Sequence, residues 1–423
     1  MDITLRPMTA LWNPFADMFA VERDGHFVLT RGEGQYVFDR EGTRYLDMTA
    51  GLWFANVGHG RQEIADAVAE QTAALAAYST FGDVANEPLL RLAERVAAIA
   101  PVADSKVFFT SGGSDAVDTA VKMIRRYWNL MGQPDRTTII TRTRAYHGMH
   151  WGGTGLAGID ANQSGHGDFG ADVEKVAWDD ASALADLIDE RGPSSIAAFF
   201  CEPVMGAGGV YFTGADYLKQ AREICRERGV LWVSDEVITG FGRTGQWFAS
   251  SRYGLDPDLT LTAKGLTSGY VPMGAVIAAP IVAEPFFAAG AGVWRHGYTY
   301  SGHAVAAAAA LANLDIIERD QLISRVASLE TVLDSRLKAL VDHPSVADVR
   351  AGTGLLAAIQ IESDELRPDP ERIQRVVAAL RGQGVLTRAL VDGSLQISPP
   401  FVIEEADIDN FVARCVVALD VAH

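Results

Sequence analysis

A glycine-rich turn between an apolar run and a helical pattern is the first segment that could bind a ligand. The run 107–109 predicts a strand, and Gly112, Gly113 and Ser114 follow it where an amphipathic helix should begin. The N–H groups and dipole of a helix start favour an anion, and glycines let the backbone approach that anion closely. A simple capped turn would explain the same residues. The turn therefore predicts a phosphate site only in combination with other features.

Asp235 is the second candidate, because its carboxylate follows the apolar run 230–233. Ligands of open parallel sheets bind beyond the carboxyl ends of the strands. A buried carboxylate needs a cationic or donor partner, and a protonated pyridine ring would supply a charge-assisted hydrogen bond. A helix-capping or ion-paired aspartate is the simpler explanation when Asp235 is considered alone.

Lys264 is a candidate nucleophile. It lies among small and apolar residues before a glycine-rich stretch, with no carboxylate within three positions. Burial there would lower the pKa of the ammonium group and free the amine, whereas an isolated lysine is more often a surface charge. An anion cradle, a carboxylate and a nucleophilic amine are together what pyridoxal phosphate requires for its phosphate, ring nitrogen and aldehyde.

Strands alternating with helices must position these three segments. Buried apolar runs at 107–109, 138–140, 196–200 and 230–233 are typical of parallel strands. Apolar residues at helical spacing lie between them: Leu89, Leu92, Val96 and Ile99; Val117, Val121, Ile124 and Trp128; Leu218, Ala221 and Cys225. The predicted fold class is therefore α/β, with a mostly parallel sheet flanked by helices.

A change of pattern near residue 310 predicts more than one domain. Residues 51–310 would form a large domain and residues 311–423 a smaller α+β domain. Residues 1–50 would form an N-terminal segment that packs with the small domain, and a hairpin is predicted within 35–47.

The composition of the 423 residues disfavours several other classes of protein. A formal net charge of −18 at pH 7 disfavours nucleic acid and anionic membranes as partners. Three widely spaced cysteines fit a reducing cytoplasm, and neither an export signal nor a membrane-length apolar run is visible. The GxGxxG match at 153–158 lacks the strand and helix of a dinucleotide site, which disfavours a nicotinamide oxidoreductase. His147 and His150 lack the context of a metal site, so no metal is predicted.

Seven motifs in a fixed order resemble the class III aminotransferases of fold type I, which are pyridoxal-phosphate enzymes, over essentially the whole chain. The motifs occupy residues 51–58, 111–115, 146–148, 202–209, 235–245, 264–270 and 296–302. The resemblance implies a large domain with a mostly parallel sheet, a smaller α+β domain and a homodimer. It leaves open whether two dimers pair into a tetramer.

The resemblance also implies a role for each matching residue. Lys264 would bind the cofactor covalently and catalyse proton transfer, and Asp235 would bind the ring nitrogen. Tyr146 and Val237 would cover the two faces of the ring. The other implied cofactor contacts are Gly112, Gly113, Ser114, His147, Glu202 and, from the neighbouring subunit, Thr299. Many relatives carry serine where this chain has Gly112, so one hydroxyl contact is absent.

Within the family, the chain resembles the ω-amino acid and amine:pyruvate branch, because Ala207 stands where ornithine-type enzymes carry glutamate. The implied substrate pocket contains Phe15, Trp53, Phe81 of the other subunit, Tyr146, Ala207, Tyr298 and Arg388. Arg388 would bind a substrate carboxylate or swing away for an apolar amine, although a surface arginine is the simpler interpretation. Ordinary core packing would equally explain the aromatic residues.

The expected reaction moves an amino group from an ω-amino acid or primary amine to a keto acid, with pyruvate expected, by a ping-pong mechanism. An aminomutase, a racemase or a decarboxylase of the same class would share Lys264 and Asp235. An inactive cofactor-binding protein is a further alternative. The sequence leaves open the physiological donor, the stereopreference and the choice between pyruvate and 2-oxoglutarate.

Overall fold

The computed structural model describes residues 10–170, 172–361 and 370–421. The strands are β1 Leu29–Glu33, β2 Tyr36–Asp39, β3 Arg44–Asp47, β4 Lys106–Thr110, β5 Thr138–Arg142, β6 Val173–Val176, β7 Ile196–Cys201, β8 Leu231–Asp235, β9 Leu259–Thr262, β10 Gly274–Ala278, β11 Val346–Thr353, β12 Leu356–Ile361, β13 Val385–Leu386 and β14 Ser394–Ile397. The helices are α1 Met18–Asp24, α2 Ala50–Trp53, α3 Gln62–Leu75, α4 Glu87–Ile99, α5 Gly113–Leu130, α6 Trp151–Gly155, α7 Ala181–Arg191, α8 Gly214–Glu227, α9 Ala249–Tyr253, α10 Pro280–Phe287, α11 Ala304–Arg319, α12 Leu322–Lys338, α13 Pro370–Gly382 and α14 Glu405–Val421.

A seven-stranded sheet with the order β4-β10-β9-β8-β7-β5-β6 forms the centre of the fold. The five strands from β9 to β6 pair in parallel, which confirms the mostly parallel sheet predicted from the sequence. The run 107–109 lies in β4, but β4 pairs antiparallel with β10 rather than with a parallel neighbour. Strand β10 also pairs antiparallel with β9, because the connection 263–273 contains no crossover helix of the kind that a parallel pair requires.

Helices cover both faces of this sheet. On one face, α5 buries Val117, Ile124 and Trp128 against β7, β9 and β10, which agrees with the predicted apolar stripe. On the other face, α8 buries Leu218, Ala221 and Cys225 in a cluster that includes Phe199 and Trp232. Burial on both faces explains why the strands are almost continuously apolar.

Two smaller sheets lie outside the central one. The predicted hairpin is present as β2 and β3, in a sheet with the order β1-β2-β3-β13. Strand β3 pairs in parallel with β13, and the Asp407 carboxylate of α14 accepts hydrogen bonds from Tyr36 Oη and Gln35 Nε2. The third sheet has the order β11-β12-β14. The domain boundaries at residues 50 and 310 stay a prediction.

No helix in the described ranges combines the length and the apolar character that a membrane crossing requires.

Candidate active site

A cavity of about 330 Å³ opens at the carboxyl ends of β4, β8 and β9. This volume lies within the usual range of small-molecule sites. Nine of the ten residues predicted to contact a cofactor line the cavity: Gly112, Gly113, Ser114, Tyr146, His147, Glu202, Asp235, Val237 and Lys264. The fold therefore brings together residues that are far apart in the sequence.

Asp235 and Lys264 reach the cavity because neighbouring parallel strands end at the same edge of the sheet. Asp235 is the last residue of β8 and pairs with Leu261, while Lys264 follows the end of β9 after a single intervening residue. The backbone of Lys264 is left-handed, with a φ of 42°. This conformation is unfavourable for residues other than glycine and is typically held by the surrounding structure at functional sites.

The Asp235 carboxylate is held by two donors. His147 Nδ1 lies 2.7 Å from Asp235 Oδ2, and the backbone N–H of Val237 donates to Oδ1 over 3.2 Å. The side chains of His147 and Asp235 are 0% and 5% exposed, so this pair is shielded from water. Since an ionised carboxylate only accepts hydrogen bonds, His147 must carry its proton on Nδ1 when Asp235 is ionised. His147 Nε2 is buried and has no hydrogen-bond partner among the described residues.

Lys264 lines the cavity, and its amine forms no hydrogen bond or ion pair with the described residues. Burial lowers the pKa of this ammonium group to about 8, although the Asp235 and Glu202 carboxylates oppose the shift. The charge of Arg388 lowers the pKa further. Because the neutral amine is the nucleophilic form, Lys264 can react near neutral pH more readily than an exposed lysine.

Glu202 is a buried carboxylate in the wall of the cavity. Its Oε1 accepts from the backbone N–H of Tyr146 and its Oε2 from that of Gly206, each over 3.0 Å. Burial raises the pKa of Glu202. The first hydrogen bond fixes the backbone of Tyr146 and the second fixes the backbone at Gly206, so Glu202 is a positioning residue.

The predicted anion cradle lies at the start of α5. Ser114 Oγ accepts from the backbone N–H of Met149 over 3.1 Å, which leaves its proton available to a ligand. A Cβ at Gly113 would lie 3.0 Å from a methyl group of Val237, so glycine permits close approach there. A Cβ at Gly112 would meet nothing within 4 Å. The first N–H groups of α5 have no partners within the helix, which makes this end suitable for an anion.

The remaining predicted residues do not line this cavity. Thr299 and Phe81 line a separate surface pocket, where both are exposed. Phe15 is 79% exposed. Tyr298 Oη donates to the backbone carbonyl of Asp115 on α5.

Trp53, Ala207 and Arg388 also lie outside the lining of the cavity. Trp53 is buried in a cluster with Ile238 and Leu356, which is packing of the ordinary kind. Ala207 is partly buried beside Gly206, the residue that hydrogen-bonds Glu202. Arg388 is partly buried, and burial lowers the pKa of its guanidinium group while the charge of Tyr146 raises it.

Several residues that line the cavity are not among the site residues predicted from the sequence. These are Phe54, Ser111, Val117, Gly148, Ile238, Ala263, Thr267, Gly269, Val271, Pro272 and Met273. Gly269 has a φ of 77°, and a Cβ there would lie 2.3 Å from the ring of Phe54. The glycine-rich stretch after Lys264 was the available signal for this wall. Within the described ranges, no group of three or more His, Cys, Asp or Glu side chains could hold a metal ion.

Comparison with known proteins gives the family of the chain. Residues 18–419 match the family described as aminotransferase class-III. Putrescine–pyruvate aminotransferase of Pseudomonas aeruginosa is 38% identical over 96% of this chain and 93% of its own. Omega-amino acid–pyruvate aminotransferase of Pseudomonas putida is 36% identical over 95% and 94%. The crystal structure of a transaminase from the marine bacterium Virgibacillus superposes with a TM-score of 0.94, at 36% identity over 98% and 97% of the two chains. These matches confirm the predicted fold and activity class, and the chain belongs to the class III aminotransferases.

Proposed function

We propose that this aminotransferase uses pyridoxal 5'-phosphate to move an amino group from an ω-amino acid or a primary amine to pyruvate. The observation that carries the proposal is the shared cavity of Asp235 and Lys264, a held carboxylate and an unpaired amine at one sheet edge. Both curated relatives described above are named as pyruvate-dependent enzymes, which supports the choice of acceptor.

The residues of the cavity fit this cofactor. The open start of α5 with Ser114 suits its phosphate, and Asp235 retains lone pairs for a protonated ring nitrogen. Tyr146 and Val237 would cover the two ring faces, and the glycine at position 113 leaves the space that a side chain would fill. When bound, the cofactor supplies an electron sink for the carbon that carries the amino group.

The protein's own groups would then bind the substrate and move its proton. Lys264 Nζ would bind the cofactor through its aldehyde and, as the free amine, would accept the proton that the donor carbon loses. Asp235 would keep the ring nitrogen protonated, with His147 fixing the carboxylate. The donor leaves as a ketone or aldehyde, and the keto acid takes up the same amino group and leaves as an amino acid.

Arg388 would bind the carboxylate of ω-amino acids and of pyruvate. Leu390, two residues after Arg388, packs in one cluster with Ile238, which lines the cavity, and the charge of Arg388 acts on Lys264 and Tyr146; both observations support this role. It forms no ion pair with any carboxylate of the described residues, so the guanidinium group remains available to an anionic substrate.

We also propose a homodimer in the cytoplasm. The exposed Phe81 and Thr299 lie outside the cavity of their own chain, so a role at the cofactor would require a second copy. Cys201, Cys225 and Cys415 are buried free thiols, which is consistent with a reducing compartment.

A donor panel tests the substrate proposal. Purified enzyme with added cofactor is offered β-alanine, γ-aminobutyrate, putrescine or an aryl amine, with pyruvate or 2-oxoglutarate as acceptor. We expect alanine formation with pyruvate to exceed glutamate formation. A reaction that proceeds without any keto acid would instead indicate a racemase or an aminomutase.

The same panel tests Arg388. We expect Arg388→Ala to lower kcat/KM for β-alanine by roughly 10- to 100-fold, as expected for the loss of a hydrogen-bonded charge contact, and to change uncharged amines much less. Equal losses for both donor types would contradict the assignment.

A further inference from the structure

The guanidinium group of Arg388 rests on a neutral side chain of the neighbouring strand. Arg388 Nε donates to Gln396 Oε1 over 2.5 Å, and Gln396 Nε2 donates to Ser398 Oγ over 2.7 Å. Gln396 is fully buried. Because arginine can only donate, the amide oxygen of Gln396 must face Arg388, and the hydroxyl of Ser398 holds the amide in that orientation.

The backbone around Arg388 is fixed on both sides. The backbone N–H of Gln396 donates to the Arg388 carbonyl over 3.0 Å, and that of Leu390 donates to Ser394 over 2.7 Å. At the tip of the connection, the Asp392 carboxylate accepts from Arg350 Nη2 over 2.7 Å and from a tyrosine hydroxyl. A change in the direction of Arg388 must therefore come from rotation of its side chain.

The hydrogen bond to Gln396 uses only Nε of the guanidinium group. Because the acceptor is a neutral amide, it does not cancel the positive charge of Arg388. Nε is used, while neither Nη atom has a hydrogen bond within the part of the chain that the structure describes. Leu390, two residues after Arg388, packs in one cluster with Ile238, which lines the cavity, and the charge of Arg388 acts on Lys264 and Tyr146. The amide acceptor of Gln396 thus holds the cation beside the cavity without neutralising it, whereas a carboxylate at position 396 would form an ion pair and cancel its attraction for substrate.

We propose, on the basis of the carboxylate-binding role of Arg388 given above, that Gln396 is the positioning residue that holds Arg388 toward the cavity. Through this contact, Gln396 sets the preference of the enzyme for donors with a carboxylate over uncharged amines. The carboxylate is bound end-on by the two Nη atoms.

Two substitutions separate orientation from charge. Gln396→Met removes the acceptor with little change in length, so Arg388 is released. Gln396→Glu keeps the contact but neutralises the cation. Gln360→Leu is the matched control, because Gln360 donates to the Asp392 carbonyl of the same connection and does not contact Arg388.

The holoenzyme variants are compared by the dissociation constant of propionate, an unreactive carboxylate, measured from the change in cofactor absorbance. We expect Q396M to bind propionate about tenfold more weakly, which is the effect of one lost hydrogen bond to a charged group. Q396E should bind propionate more weakly still. The kcat/KM for β-alanine should fall in parallel. The kcat/KM for n-butylamine should be unchanged or higher in Q396M, where the Arg388 side chain is free to rotate away from the cavity. In Q396E this kcat/KM should not rise. Gln360→Leu should match the parent in all three measurements.

The outcomes separate this inference from the proposed function. If Arg388→Ala weakens the binding of propionate but both Gln396 variants bind propionate as tightly as the parent, Gln396 does not position Arg388. If Arg388→Ala itself binds propionate like the parent, the carboxylate-binding role of Arg388 is wrong. Equal losses for β-alanine and n-butylamine in Q396M would show a general structural role and would overturn the inference. Should Q396M melt too low to purify, Gln396→Leu, which also removes the acceptor of the Arg388 hydrogen bond, decides the question through the same propionate titration.

Discussion

Replacement of His147 by leucine tests how the site holds Asp235. The change removes the 2.7 Å contact between His147 Nδ1 and Asp235 Oδ2 and keeps an apolar side chain of similar reach in a fully buried position. Only the backbone N–H of Val237, at 3.2 Å, would then fix the carboxylate. His147 does not need to touch the substrate for this loss to matter, because it acts through Asp235.

The size of the effect follows from the character of the contact. A hydrogen bond to a charged group contributes about 1.5–3 kcal/mol. Each 1.4 kcal/mol or so corresponds to a factor of ten in a dissociation constant. Loss of this hydrogen bond alone would therefore weaken the binding of a ligand to Asp235 by roughly 10- to 100-fold. The retained contact with Val237 limits the rearrangement, so we expect a value near the lower end, about tenfold, for pyridoxal phosphate.

The assay is the dissociation constant of the cofactor from absorbance titration, combined with kcat for alanine formation. The matched variants are Asp235→Asn and the double variant. Because His147 acts through the carboxylate, His147→Leu should reduce cofactor affinity and kcat much less in the Asp235→Asn background than in the parent. Additive losses in the two backgrounds would refute this reasoning, and so would cofactor affinity equal to that of the parent at an unchanged melting temperature.

Three other predictions concern the same cavity. Lys264→Ala should abolish turnover while noncovalent cofactor binding persists, and full activity in the presence of cofactor would contradict the assignment. Because the pKa of Lys264 is lowered to about 8, its neutral fraction increases through that pH, so the rate at which apo-enzyme combines with the cofactor should rise between about pH 7 and about pH 9. A flat profile in stopped-flow measurements would argue against the free amine as nucleophile. Gly112→Ser should leave the melting temperature unchanged, since a Cβ there meets nothing within 4 Å, and should tighten the cofactor by about 2- to 10-fold through the added hydroxyl; weaker binding would mean that the cradle lies elsewhere.

The sequence predicted the central sheet well where strands are continuously apolar. The runs at 138–140 and 196–200 lie in parallel strands, and the run 230–233 begins one residue before the parallel strand β8. The direction of β10 could not be predicted, because apolar character indicates burial and not the partner of a strand. Only the absence of a crossover helix between β9 and β10 would have indicated an antiparallel pair.

The site was predictable in its residue types and less so in its contacts. Glycines, serine, aspartate and lysine at strand ends predicted the cavity that the structure contains. The contact between His147 and Asp235 joins residues that are 88 positions apart, and such a pair cannot be predicted from local sequence spacing. Gln396 was also missed, since a buried glutamine in a short strand is not distinguishable from ordinary structure until its partner is seen.

The reversed strand β10 has a consequence for how enzymes of this shape can diversify. Gly274 pairs with Thr110, beside the anion cradle, and Ala275 pairs with Thr262, two residues before Lys264. A single strand therefore sets the separation between the start of α5 and Lys264, and a slip by two residues would shift one against the other by about 7 Å. Insertions or substitutions in the peripheral segments around Phe15 and Phe81 leave that separation unchanged. New amine specificities can thus evolve in the outer loops while the reacting groups keep their spacing.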